Sequence, residues 1–265
     1  MGDIMKKGLY VTFDFKQTLL LMCTLVLFFS FAVIFFLSNS FVGAVKTSAD
    51  NKPIIIVDAG HGGEDGGTQS ADGVLEKDIN LAISLKINDV LSEQGFKTVL
   101  VRDGDYLIYD ESSSTLREKK VSDIHNRMKI MEEYENCIFL SIHQNYFKQS
   151  KYSGAQVFYS KNNPESRLIA AEIQGAIVED IQSDNTRQIK ESTTDVYLLY
   201  HAKVPAVMVE CGFMSNSEEA AKLSDEEYQQ KMAESVVKGL KNYLENITQG
   251  EMSNGSENKK YFRMQ

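Results

Sequence analysis

The chain has 265 residues, 43% of them hydrophobic and none of them tryptophan, which is room for one sizeable domain with extra segments. Its net charge of −9 argues against nucleic acid as a partner, since that calls for a basic face. Three cysteines, Cys23, Cys137 and Cys211, make no disulfide framework and form no Cys-x-x-Cys pair, so any metal must be held by histidine and carboxylate.

Residues 1–17 mix Lys6, Lys7 and Lys16 with Asp3 and Asp14. The uncharged run Leu19–Leu37 follows, close to the roughly 20 apolar residues a spanning helix needs. Segment 18–38 therefore reads as a transmembrane anchor or uncleaved signal, with Val42-Gly-Ala44 as an alternative cleavage site. The lysines before the run keep residues 1–17 in the cytoplasm and send the rest outward. Residues 39–52 form a short polar stalk, 53–247 the folded domain, and 248–265 a polar, disordered tail.

The folded domain opens with Ile54-Ile-Ile-Val57, a continuous apolar run of the kind buried on both faces of a largely parallel sheet. It runs into Gly60, His61, Gly62 and Gly63, where glycine lets the backbone leave the strand. Glu76–Gln94 is expected to be a helix, with Gly95 at its end. Phe96–Val101 reads as a strand, residues 103–115 as a loop beside the crevice, and Leu116–Asn136 as a charged helix. The apolar stripe of that helix is Val121, Ile124, Met128 and Met131. Cys137–Ile142 is a strand, apolar but for Ser141, ending at His143, and Gly154–Ser160 is strand-like. Pro164–Ile181 is a helix with proline at its start. Val196–Tyr200 and Ala206–Glu210 read as short strands. Ser224 with Glu227 reads as a capping box for a last amphipathic helix to about Glu245. This is an α/β pattern.

Parallel strands bring their carboxyl ends to one edge, where open α/β sheets place ligands. His61 and His143 both follow such strands, and Glu76 opens the helix that leaves from that edge. Two imidazoles and a carboxylate make the donor set of a catalytic zinc. Glu210, after four apolar residues, is costly to bury unless it is used, and at that edge it can exchange a proton with water. Singly, each residue has a plainer explanation: a packed histidine, a charge at a helix start, a buried ion pair. His125 and His201 are expected at the surface or behind the ligands.

Four runs carry a resemblance. Val57-Asp-Ala-Gly-His-Gly-Gly63, Leu75-Glu-Lys-Asp-Ile-Asn-Leu81, Ser141-Ile-His-Gln-Asn145 and Val209-Glu-Cys-Gly-Phe-Met-Ser-Asn216 are similar to the motifs of the zinc-dependent N-acetylmuramoyl-L-alanine amidases, over about residues 53–246. The resemblance implies a mixed, mostly parallel six-stranded sheet with helices on both faces. It also implies one Zn²⁺ on His61, Glu76 and His143, with Glu210 as the catalytic carboxylate. The substrate would be peptidoglycan, cut between the lactyl group of muramic acid and L-alanine. Asn145 and Arg127 are candidates for substrate contact or for structural hydrogen bonding. The segment Asp184-Asn-Thr-Arg-Gln-Ile-Lys190 and the N-terminal anchor resemble, more narrowly, the spore-cortex amidases of endospore formers. Those enzymes act on the way to muramic-δ-lactam, read during germination, which would place the domain in the intermembrane space of the forespore. No extra blocking helix is evident late in the domain, which leaves control to a partner protein. Other functions compatible with the same residues are a zinc peptidase acting within the stem peptide and a non-catalytic, membrane-anchored wall-binding module.

Overall fold

The structure, a computed structural model, describes residues 14–16, 22, 24–30 and 52–253. Most of the expected anchor and stalk, and residues 254–265, lie outside the described residues. Among those described, no helix is long and apolar enough to cross a membrane.

Among the described residues, those from Pro53 onward form one compact unit. Its strands are β1 (Ile54–Ala59), β2 (Thr98–Leu100), β3 (Cys137–Asn145), β4 (Gln156–Tyr159), β5 (Lys190–Glu191) and β6 (Ala206–Phe213). Its helices are α1 (Glu76–Glu93), α2 (Leu116–Glu132), α3 (Pro164–Asp180), α4 (Tyr197–His201), α5 (Ser217–Leu223) and α6 (Glu226–Ser253). The six strands form one sheet in the order β2-β1-β3-β6-β4-β5. All neighbours are parallel except β4 and β6, so the sheet is mixed and mostly parallel, as expected.

Alternation along the strands splits the core in two. Ile55, Val57, Leu140, Ile142, Val207 and Val209 face α1, α3 and α6 in the larger apolar cluster. Ile56, Phe139, Ala206 and Met208 face the other way, onto Met128 and Met131 of α2 and Leu198 and Leu199 of α4. Helices thus cover both faces, and the central strands read as uninterrupted apolar runs for that reason. Cys137 and Cys211 are free thiols within these cores.

Four sequence expectations need correcting. Val196–Tyr200 is not a strand: residues 197–201 form the single helical turn α4, closed by Tyr200 N–H donating to the Val196 carbonyl at 2.9 Å. Five apolar residues cannot distinguish strand from turn by periodicity. The sixth strand is instead the polar pair Lys190–Glu191 at the sheet edge. On α2, Val121 and Ile124 are exposed, and the buried face is Asp123, Arg127, Met128 and Met131. At the last helix, Ser224 ends α5, its hydroxyl donating to the Ala220 carbonyl, and Asp225 accepts from Tyr228 N–H in the first turn of α6. That helix runs to Ser253, past its expected end near Glu245.

Candidate active site

β1, β3 and β6 run side by side in the same direction, so their carboxyl ends share one edge. His143 of β3 lies directly opposite Glu210 of β6 in the register. By alternation both project from the face that also carries Asp58 and Ser141. Glu76, the first residue of α1, reaches the same edge and is 2% exposed.

Three of the expected residues converge closely. His61, Glu76 and His143 each offer a ligand atom, all within 4.8 Å of one another. Glu76 Oε1 lies 3.0 Å from His143 Nδ1 and 3.3 Å from His61 Nε2. Backbone N–H groups of Gln144 and Thr68 donate to the two oxygens of Glu76, at 3.0 and 2.8 Å. Burial opposes ionisation of Glu76, but the hydrogen bonds to His143 and His61 outweigh it and hold the carboxyl well below its usual range. Burial likewise depresses His61, yet Asp65 and Glu76 raise it to about 9.

The turn that presents His61 is tightly held. His61 itself has φ of 61°, left-handed for a non-glycine residue, a local strain typical of functional sites. Its Nδ1 lies 2.8 Å from Asp65 Oδ2, which fixes the ring and leaves Nε2 facing Glu76. Two buried arginines gather the carbonyls of the turn. Arg102 donates to Ala59 and Gly60 at 2.9 and 3.0 Å, and Arg127 donates to Ala59 and His61 at 2.8 Å each. At Gly60 a Cβ would fall 2.2 Å from the His143 ring, so only glycine lets the two histidines approach.

Glu210 is half-buried, and its Oε2 is enclosed without a hydrogen-bond partner. Burial pushes its carboxyl up to about 7, with His143 pulling the other way. Asn145 ends β3 half-buried, its carbonyl accepting from Met214 N–H at 2.8 Å. Arg127 is only 2% exposed and its guanidinium binds Asp58 at 2.5 Å and Asp123 at 2.6 Å. His125 and His201 are exposed and pack with Tyr197, and neither belongs to the cluster of His61, Glu76 and His143. The sequence does not show the roles of Asp65 and Arg102, nor which carboxylates, Asp58 and Asp123, pair with Arg127. An acidic residue four positions after a candidate ligand was the available signal for Asp65.

A His-Glu-His donor set beside an enclosed carboxylate near neutral pKa is the working arrangement of a metal-dependent hydrolase. The model of the N-acetylmuramoyl-L-alanine amidase family matches residues 55–242, and this chain belongs to that family. The chain is 34% identical over 191 residues to the germination-specific N-acetylmuramoyl-L-alanine amidase of Bacillus subtilis (strain 168), a match covering 72% of this chain and 79% of the relative. It is also similar to the CwlD amidase of Clostridioides difficile, solved in complex with the GerS lipoprotein. There the TM-score is 0.71 at 40% identity, covering 74% of this chain and 100% of the other. An N-acetylmuramoyl-L-alanine amidase from Clostridium difficile 630 follows the same fold, with a TM-score of 0.64 at 29% identity over 74% and 98% of the two chains. The His61, Glu76 and His143 cluster is consistent with a metal site typical of this family.

Proposed function

We propose that this amidase works in spore-cortex maturation and germination, with one zinc ion held by His61, Glu76 and His143 and with Glu210 as its catalytic carboxylate. The bond cut is the amide between the lactyl group of muramic acid and L-alanine of a peptidoglycan stem peptide. The observation that carries the assignment of roles is the placement of Glu210 opposite His143, on the sheet edge where Glu76 joins both histidines.

The residues present fit the ion. Three donors converge, one of them an anion kept ionised by backbone N–H groups, and Asp65 sets the ring of His61 as outer partners of metal-bound histidines do. Zinc bound there would supply a Lewis acid for the scissile carbonyl and would lower the pKa of a bound water to about 7. Glu210 takes a proton from the attacking water and hands it to the departing L-alanine amine. Without the ion, burial raises this carboxyl toward neutrality, which suits a group that must accept and then release a proton, and its Oε2 has no internal hydrogen bond to break first. Arg127 and Asp58 anchor the turn from below, which favours the structural role for Arg127. Asn145, at the rim, remains our candidate for substrate contact.

The cortex role rests on similarity to the Bacillus subtilis germination-specific enzyme and to CwlD. A lipoprotein partner is proposed on the same ground, because the CwlD structure is a complex with GerS. We assign segment 18–38 as the anchor and place the catalytic domain outside the cytoplasm, in the intermembrane space of the forespore.

The test is mass spectrometry of digested cortex fragments together with zinc quantification. Wild type is expected to free peptides that begin with the L-alanine amine, whereas opening of a bond within the stem peptide would make it a peptidase. Glu210→Gln is expected to keep its zinc and lose about 10²–10⁴ in rate. A near wild-type rate in that variant would sink the role of Glu210.

A further inference from the structure

One cation beside this edge has no part in the chemistry described so far. Arg187 lies in the segment Asp184–Lys190, which leads into β5. Glu210 of β6 pairs in antiparallel register with Gln156 of β4, so the two project from the same face. Gln156 Oε1 accepts a hydrogen bond from Arg187 Nη2. The guanidinium carbon of Arg187 sits 4.9 Å from the centre of the Phe213 ring. Phe213, only 3% exposed, is three residues after Glu210 on the same strand and is a rigid platform. From it a row of rings continues to Tyr152 at 6.2 Å and from Tyr152 to Phe147 at 5.0 Å. Phe147 follows Asn145 by two residues, so the row begins beside the His143 strand and ends under the guanidinium. Tyr152 and Phe147 are 37% and 49% exposed.

Arg187 is half-buried, and its Nε is enclosed with no hydrogen-bond partner. Its charge acts on Glu210 and Glu219 from a distance. A guanidinium placed over a ring, with hydrogen-bonding capacity beyond its one bond to Gln156, is suited to a planar anion that can accept two parallel hydrogen bonds. The peptide released by this amidase begins with L-alanine. The residue after it in a stem peptide is a D-glutamate joined through its side chain, whose α-carboxylate is free and one residue from the scissile amide.

We propose that Arg187, backed by Phe213, binds that free carboxylate and sets a preference for acidic stem peptides over those carrying a carboxamide at this position. The inference rests on the amidase function and deepens it by naming the part of the substrate that is read.

The test uses the zinc-loaded full chain and two disaccharide tripeptides that differ only in this group, free acid or carboxamide. Wild type is expected to favour the acid by about 10- to 100-fold in kcat/KM, carried by KM, as a charged hydrogen-bonded contact implies. In Arg187→Gln the ratio of acid to amide falls close to one. In Arg187→Lys part of it survives, because charge remains and the planar fork is gone. Thermal midpoints and zinc content report whether each variant is folded, and if Arg187→Gln does not fold, the wild-type and Arg187→Lys ratios decide. Equal kcat/KM for the two substrates in wild type, or a ratio unaltered by the substitutions, overturns the carboxylate subsite and leaves the amidase function standing. Cleavage of neither substrate by wild type overturns both.

Discussion

The same central strands present opposite chemistry on their two faces. Toward α1, α3 and α6 they offer apolar side chains, Val57, Leu140, Ile142, Val207 and Val209 among them, none more than 1% exposed, up to Gln144 at the end of β3, which is paired with Asn80 of α1 at 3.1 Å. Toward α2 and α4 they are apolar only at first, then give Asp58, Ser141, His143 and Glu210 near the carboxyl edge. One face stabilises, at about 1.5–3 kcal/mol for each large side chain buried. The other carries polar groups whose burial costs free energy unless each is paired. Asp58 is paired by Arg127 and by Ser141 Oγ at 2.6 Å; Glu210 is not, and that is where chemistry is expected.

Substitutions on the two faces should therefore fail in different ways. Arg127→Met leaves Asp58 and Asp123 as buried charges without their partner, and should cost about 3–5 kcal/mol in urea unfolding and weaken metal binding as well. A loss below 1 kcal/mol would show that the network supports nothing.

Glu210 should behave in the reverse sense. Its folded pKa of about 7 stands above the ordinary 4.5, so between those values the folded state binds more protons than the unfolded one. In metal-free protein its contribution to stability is thus greatest at low pH and declines as pH rises through that window, by about 3 kcal/mol. Glu210→Gln should remove the decline and make metal-free protein more stable than wild type at pH 8 but not at pH 4. Parallel stability-against-pH curves for the two would contradict this.

On the closed face the effect is purely one of packing. At Gly239 of α6 a Cβ would lie 2.4 Å from the Ile173 Cα of α3, so Gly239→Ala should force the helices apart at about 1–3 kcal/mol. Zinc content should not change; if it fell in step with stability, the two faces would not be separable. Asp65→Asn sharpens the other side, with an expected loss in zinc affinity of about 10- to 100-fold by chelator competition. Smallest of all is Ile124→Ser on the exposed side of α2, expected within about 0.5 kcal/mol of wild type.

Legibility in the sequence follows the same division. β1, β3 and β6 were readable because burial on both faces leaves an uninterrupted apolar run, and His61, His143 and Glu210 because they end those runs. β5 was not, since two polar residues at an edge carry no pattern. Val121 and Ile124 misled because they share helical spacing with Met128, while the face that turns inward is decided by the carbonyls and carboxylates awaiting Arg127.

The sequence alone determined which residues can bind metal or move a proton, and that they stand at strand ends and a helix start, because periodicity and residue type are local. Tertiary structure decided that Glu210 faces His143, that Arg127 and Arg102 turn inward to hold the His61 turn, and that Arg187 comes to rest over Phe213. Those outcomes depend on strand order and on which buried polar groups must find partners, and both are set by residues far apart along the chain.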